Sequence, residues 1–198
     1  MVPILILAAG ASTRMRGRDK LLELVASEPL LARVARAAVA SGAPVLVALP
    51  AGSDRRVAAL RGLAVQIVTV TDADEGMAAS IRAGVAALPA SATAVVLMLA
   101  DMPDIRSDDI RALLVAHQGV ADAPILRAAG PQGQPGHPVL FPARFFAELG
   151  ALQGDTGARA ILAAHADAVR LIPLPGTRAL TDLDTPEDWA VWRGRPTP

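Results

Sequence analysis

With 198 residues and 19 acidic against 19 basic side chains, the chain is long enough to bury one substantial core and has no net field to attract nucleic acid or an anionic membrane. It has no cysteine, which excludes disulfides, thiolate catalysis and cysteine-ligated metal, and an aromatic content of 3% argues against a platform for stacked bases. The 53% hydrophobic content comes largely from Ala, Leu and Val, which suits close packing of helices on a sheet.

The first predicted element is a buried strand, Val2–Leu7. It breaks into Ala8-Ala9-Gly10-Ala11-Ser12-Thr13-Arg14-Met15-Arg16-Gly17-Arg18-Asp19-Lys20. Small residues let a ligand approach the backbone closely. Exposed N–H groups can then cradle phosphate oxygens while Arg14, Arg16, Arg18 and Lys20 neutralise their charge. The alternative is a solvated basic turn. Neither the G-x-x-x-x-G-K-[ST] nor the G-x-G-x-x-G spacing is present. The cations follow the apolar run, whereas a secretory leader has them before it. Ala94–Ala100, the longest other apolar run, is too short to cross a bilayer. The expected setting is soluble and cytoplasmic.

Further along, the pattern predicts helix Leu30–Ser41, strand Val45–Leu49, helix Asp54–Arg61, strand Val65–Val70, helix Ala78–Leu88 and strand Ala94–Leu99. Helix Ser107–His117 follows, with Ser107 as its expected N-cap and Asp108 and Asp109 suiting its dipole. Strands Pro138–Phe141 and Val169–Ile172 complete the set, and Gly130–Pro138 is expected to be a long functional loop. Strands alternating with helices predict one α/β domain, a mostly parallel sheet covered on both faces. Ligands of such sheets sit beyond the carboxyl ends of the strands, where the loops after Leu7 and Leu99 both lie.

Asp101, just after the strand Ala94–Leu99, is a hard oxygen ligand suited to Mg²⁺ shared with substrate phosphates, or else a turn or capping carboxylate. Gly76 opens the backbone before a helix in which Ser80 could bond a base or ribose, or serve structure alone. His137, between Gly136 and Pro138, and the segment Gly154–Arg159 could close over a second substrate. Thr185, Pro186 and Asp188 read as a helix cap, which leaves Asp182 and Asp184 pointing the same way, at a metal.

Taken together, these motifs resemble the nucleotidyltransferases of molybdenum cofactor maturation, especially the cytidylyltransferases. Leu7–Lys20 with Leu21 and Leu22 is similar to L-A-A-G-x-S-x-R-M-G-x-x-K-L-L, and Gly76–Ser80 to G-M-x-x-S. Leu99–Pro103, Gly136–Phe141, Gly154–Arg159 and Asp182–Asp188 match the metal motif, G-H/N-P-V-L-F, G-D-x-G-A-R and D-x-D-T-P-E-D, in the family's order. The resemblance implies a single Rossmann-like domain over 1–198, with a nucleotide part near 1–105 and an acceptor part near 106–190. It implies CMP transfer from CTP to the phosphate of molybdopterin with release of pyrophosphate. Arg14, Lys20 and Asp101 would be catalytic, and Leu7, Ala8, Ala9, Gly10, Arg14, Lys20, Gly76 and Ser80 would bind nucleotide. Gly136, His137, Asp155, Arg159 and Asp182 would face the acceptor. Asp101 and Asp184 would hold Mg²⁺ or Mn²⁺, and a molybdoenzyme or its chaperone would be the protein partner. Ala9, where the related guanylyltransferases have Gly, suggests CTP over GTP. The alternatives are GMP transfer, an acceptor such as a sugar phosphate, or a non-catalytic molybdopterin carrier. The chain departs from the family pattern at an additional residue around Arg16–Gly17 and at Ala26-Ser27-Glu28-Pro29, which replaces D-G-x-P.

Overall fold

A strand period of two sends alternate residues to opposite faces of a sheet, and an interior parallel strand must bury both. The computed structural model describes residues 1–118, 120 and 122–195. Its strands are β1 (Ile4–Leu7), β2 (Leu24–Val25), β3 (Glu28–Pro29), β4 (Val45–Pro50), β5 (Val65–Val70), β6 (Ala94–Leu99), β7 (Ile125–Ala129), β8 (Pro135–Pro142) and β9 (Val169–Pro173). The α-helices are α1 (Leu30–Val39), α2 (Asp54–Ala59), α3 (Met77–Ala86), α4 (Ser107–His117), α5 (Phe146–Gly150), α6 (Arg159–Ala164) and α7 (Pro186–Arg193).

The main sheet has the order β5-β4-β1-β6-β8-β7-β9. Neighbours pair in parallel except along β8, which is antiparallel to both β6 and β7. Ile4, Ile6, Val47, Val96 and Met98 pack on one face with residues of α1, α4 and α7. Leu5, Leu46, Val95 and Leu97 pack on the other with residues of α3, α5 and α6. The result is a three-layer α/β fold with a mostly parallel sheet, as the alternation of strands and helices predicts.

Three expectations change. β7 lacks a long apolar run because Arg127 interrupts it, and it becomes a strand by pairing with β8 and β9. The expected long loop at Gly130–Pro138 shrinks to a turn, closed by Gly130 N–H donating to the Gln134 carbonyl (2.8 Å), because β8 already begins at Pro135. Glycines and prolines suggest a loop locally, but pairing with β7 recruits Pro135 opposite Ala129. Lastly, the α4 N-cap is Arg106, not Ser107: the Arg106 N–H donates to the Asp109 carboxylate (2.9 Å). Asp109 is buried and also accepts from Arg178 (3.1 Å), so the long-range ion pair selects the capping acid.

The departure at residues 26–29 forms the β2–β3 hairpin, in which Val25 pairs with Glu28 across two residues. Both central residues have positive φ, 49° at Ala26 and 70° at Ser27, as a type I′ turn requires. Neither residue type favours that region, in which a Cβ crowds the following carbonyl. Ser27→Gly should therefore raise stability by about 1 kcal/mol, and Ala26→Asp/Ser27→Gly by about 1–2 kcal/mol, read from the urea midpoint at constant m.

Candidate active site

β1 and β6 pair with Leu7 opposite Leu99, so both chains leave the sheet at the same height. Ala8 N–H donates to the Ala48 carbonyl (3.0 Å), which continues the sheet one residue past β1. Beyond it, the N–H groups of Ala9, Gly10, Ala11, Ser12 and Thr13 have no acceptor in the chain among the described residues. A run of free N–H groups is an anion-binding surface. The carbonyls of Ala8 and Gly10 are engaged, accepting from the Arg56 guanidinium at 2.6 and 3.0 Å.

Of the four cations after β1, two serve the site. Lys20 Nζ donates to Asp101 Oδ2 (2.6 Å) and also to Asp184. Arg14 pairs with Asp184 Oδ2 at 2.9 Å. Arg16 and Arg18 turn outward to Glu187 (2.7 Å) and Glu23 (3.4 Å). Around the additional residue, Arg16 and Gly17 have positive φ of 52° and 84° and are exposed. Lys20 keeps its place because Asp19 caps the short helical turn Lys20–Leu22, accepting from Leu21 N–H at 3.0 Å.

The third wall comes from the far end of the chain. Leu183 N–H donates to the Asp101 carbonyl (3.1 Å), and buried Leu183 plugs the core between Asp182 and Asp184. Thr185 caps α7 as expected, and Asp188 accepts from the N–H groups of Asp184 (3.2 Å) and Thr185 (2.8 Å). Burial opposes the Lys20 charge, but attraction and hydrogen bonds from Asp101 and Asp184 outweigh it and hold the ammonium above the usual lysine range. Partial burial, then repulsion from Asp101 and Asp184, raises the Asp182 carboxyl. Three carboxylates thus face two cations. Asp101 Oδ1 is buried without a hydrogen-bond partner among the described residues, a donor left for a further positive group. No set of three or more His, Asp or Glu side chains forms a complete metal cage among the described residues. A divalent ion on Asp101 and Asp184 would therefore fill its shell from substrate oxygens and water, a habit of Mg²⁺.

A second group gathers the remaining motifs. Gly76, with φ 108°, lies so close to Asp155 that a Cβ there would come within 1.9 Å of its carboxylate. Ala78 N–H donates to the Gly154 carbonyl (3.1 Å), so the start of α3 and the Gly154–Arg159 segment form one surface. Arg82 ties them further, donating to Asp72, Glu75 and the Leu152 carbonyl. Ser80 is buried within α3. Gly136 lies against the Ala179 carbonyl, with room for no side chain, and its own carbonyl accepts from Arg127 Nε (3.0 Å). His137 follows, its N–H donating to the Ala179 carbonyl (2.9 Å) and its buried Nδ1 unpaired among the described residues. Burial, with Arg127 and then Arg159 nearby, pushes its imidazole down to about 4. Two grooves at the opposite edge of the sheet, around Pro44 (about 460 and 730 Å³), contain no carboxylate or arginine among the described residues.

The profile of the MobA-like NTP transferase domain matches residues 4–169. The chain belongs to this family. It is also similar to the bifunctional protein GlmU of Mycobacterium sp. strain KMS, with 37% identity over 132 residues, 62% of this chain and 26% of that protein. The chain thus spans about a quarter of the length of the curated relatives it matches. Rv0371c of Mycobacterium tuberculosis H37Rv superimposes with a TM-score of 0.84 at 28% identity, covering 96% of each chain. A complex of Rv0371c with manganese superimposes with a TM-score of 0.80 at 25% identity, again covering 96% of each.

In this MobA-like transferase the motif residues therefore fall into two groups on one sheet edge: Arg14, Lys20, Asp101, Asp182 and Asp184 in one, Gly76, Asp155, Gly136, His137 and Arg159 in the other. Sequence reading missed Asp19, Arg56 and Arg127, which hold backbone or other charged groups. Arg56 left a trace, since it shares a helix face with Leu60, four residues on, where an apolar side chain is expected. The lowered His137 pKa predicts a loss of stability in acid. Its unfolded pKa is about 6.5 and its folded value about 4. Between them the unfolded chain holds the extra proton, so stability falls as pH drops through that window. His137→Asn should flatten the decline by up to about 3 kcal/mol between pH 6.5 and 4, read from urea midpoints of both proteins.

Proposed function

We propose that this NTP transferase moves CMP from CTP to the phosphate of molybdopterin, releasing pyrophosphate, with Mg²⁺ (or Mn²⁺) held by Asp101 and Asp184. The observation that carries the reading is Lys20, clamped between Asp101 and Asp184 beside a loop whose N–H groups are free. That loop suits a triphosphate, which Arg14 and Lys20 would hold and whose departing pyrophosphate they would stabilise. A phosphate monoester has a second pKa of about 6, so at neutral pH the acceptor is already a nucleophile and needs no general base. Its oxyanion attacks the α-phosphorus, the bond to the β-phosphate oxygen breaks, and the electron pair leaves with pyrophosphate. The bound ion would supply charge neutralisation at the phosphates. Support for a divalent ion comes from the orphaned Asp101 oxygen and from the manganese complex of the similar Rv0371c. On the acceptor side, His137 stays neutral at working pH and can both donate and accept, while Arg159 and Asp155 add polar contacts. Ala9 and Ser80 support cytidine through the family resemblance.

The decisive assay offers CTP, GTP, ATP and UTP with molybdopterin and reads pyrophosphate release and product mass. CTP should dominate. Preference for GTP would convert the reading to guanylyl transfer, turnover with sugar 1-phosphates alone would move the acceptor, and pterin binding without turnover would leave a carrier. Asp101→Ala should lower kcat about 1,000-fold or more, whereas near-normal Mg²⁺-dependent turnover would remove the metal assignment. Lys20→Ala should weaken CTP binding about ten- to hundredfold in calorimetry, and unchanged affinity would argue against its phosphate role.

A further inference from the structure

The buried Arg56 guanidinium uses four of its five N–H donors on the segment between β1 and Lys20. Nε and Nη2 donate to the two Asp19 oxygens at 2.7 and 3.0 Å, and Nη1 and Nη2 reach the Ala8 and Gly10 carbonyls at 2.6 and 3.0 Å. In a trans peptide the C=O and the following N–H point in opposite directions. Holding the Ala8 carbonyl therefore aims the Ala9 N–H away from Arg56, and holding the Gly10 carbonyl does the same for Ala11. Both N–H groups are among those left free. The Asp19 carboxylate offsets the guanidinium charge, so this arginine shapes the loop more than it charges it. Asp19 is also the cap of the turn that starts at Lys20.

We propose that Arg56 is the positioning residue of the triphosphate site: it presets the peptide planes of the loop and, through Asp19, the position of Lys20. The role rests on the reading of this loop as a polyphosphate cradle, whichever base or acceptor the enzyme uses. Lysine can replace it only in part, because a single ammonium lacks the planar fork that spans a carboxylate and two carbonyls.

The test uses the full chain and inorganic tripolyphosphate with Mg²⁺, which carries no base, and measures Kd by calorimetry well below the melting transition. Arg56→Met should raise Kd at least tenfold and Arg56→Lys by an intermediate amount, with KM for the nucleotide rising in parallel. Asp19→Asn, which keeps the volume and loses the ion pair, should shift Kd in the same direction. A merely structural arginine would lower the melting temperature and leave Kd within twofold, and that result in a folded variant overturns the proposal. If Arg56→Met does not fold, Arg56→Lys and Asp19→Asn decide by the same criterion. Failure of the unaltered protein to bind tripolyphosphate overturns the cradle reading and this proposal together. Binding that is insensitive to Arg56 overturns the proposal alone.

Discussion

The ammonium of Lys20 sits between Asp101 and Asp184, which lie 81 and 164 residues further along the chain. The rest of the edge depends on this contact, because it closes the loop after β1, the end of β6 and the segment before α7 into a single ring of charge. Side chains at these positions are largely screened from water, with Lys20 13% and Asp101 16% exposed. At such depth an unmatched carboxylate is costly, and one cation serving two of them restrains both. The backbone follows the charges: Leu183 N–H reaches the Asp101 carbonyl, and Leu183 itself is buried.

A balanced chain can still concentrate charge. Nineteen acids and nineteen bases cancel overall, yet Asp101, Asp182, Asp184, Arg14 and Lys20 meet at one edge, leaving one negative charge in excess. In the proposed reaction this is a resting arrangement ready for exchange. A polyphosphate would attract Arg14 and Lys20, and the carboxylates so released would be hard donors for a divalent ion. In the proposed cradle the ligand would meet backbone N–H groups, and the neighbouring carbonyls of Ala8 and Gly10 are already satisfied by Arg56.

Much of this architecture was legible in the chain. The interior strands announced themselves as apolar runs, since both faces of β1, β4 and β6 are covered and nothing polar interrupts them. The α7 cap was legible because Thr185, Pro186 and Asp188 act within a single turn. β7 was not, because Arg127 sits mid-strand to brace the Gly136 carbonyl and so breaks the pattern that marks a strand. The hairpin at Ala26-Ser27 hides its turn because neither residue announces a positive φ. Asp109 looked like a dipole partner, and its pairing with Arg178 shows only once residues 69 positions apart are brought together.

By itself, the amino-acid sequence determined the interior strands β1, β4 and β6 and the helices between them, the sheet edge at which the motifs gather, and the residue types offered there. These are local properties, set by hydrophobic period, caps and small residues over a few positions. Tertiary structure decided which of those side chains meet. It chose Arg14 and Lys20 from four neighbouring cations and turned Arg16 and Arg18 to solvent. It placed Asp155 against Gly76 and brought Arg56 under the loop after β1. Such choices depend on geometry between distant segments, where a hydrogen bond is made or lost over less than an ångström, and no local pattern carries that information.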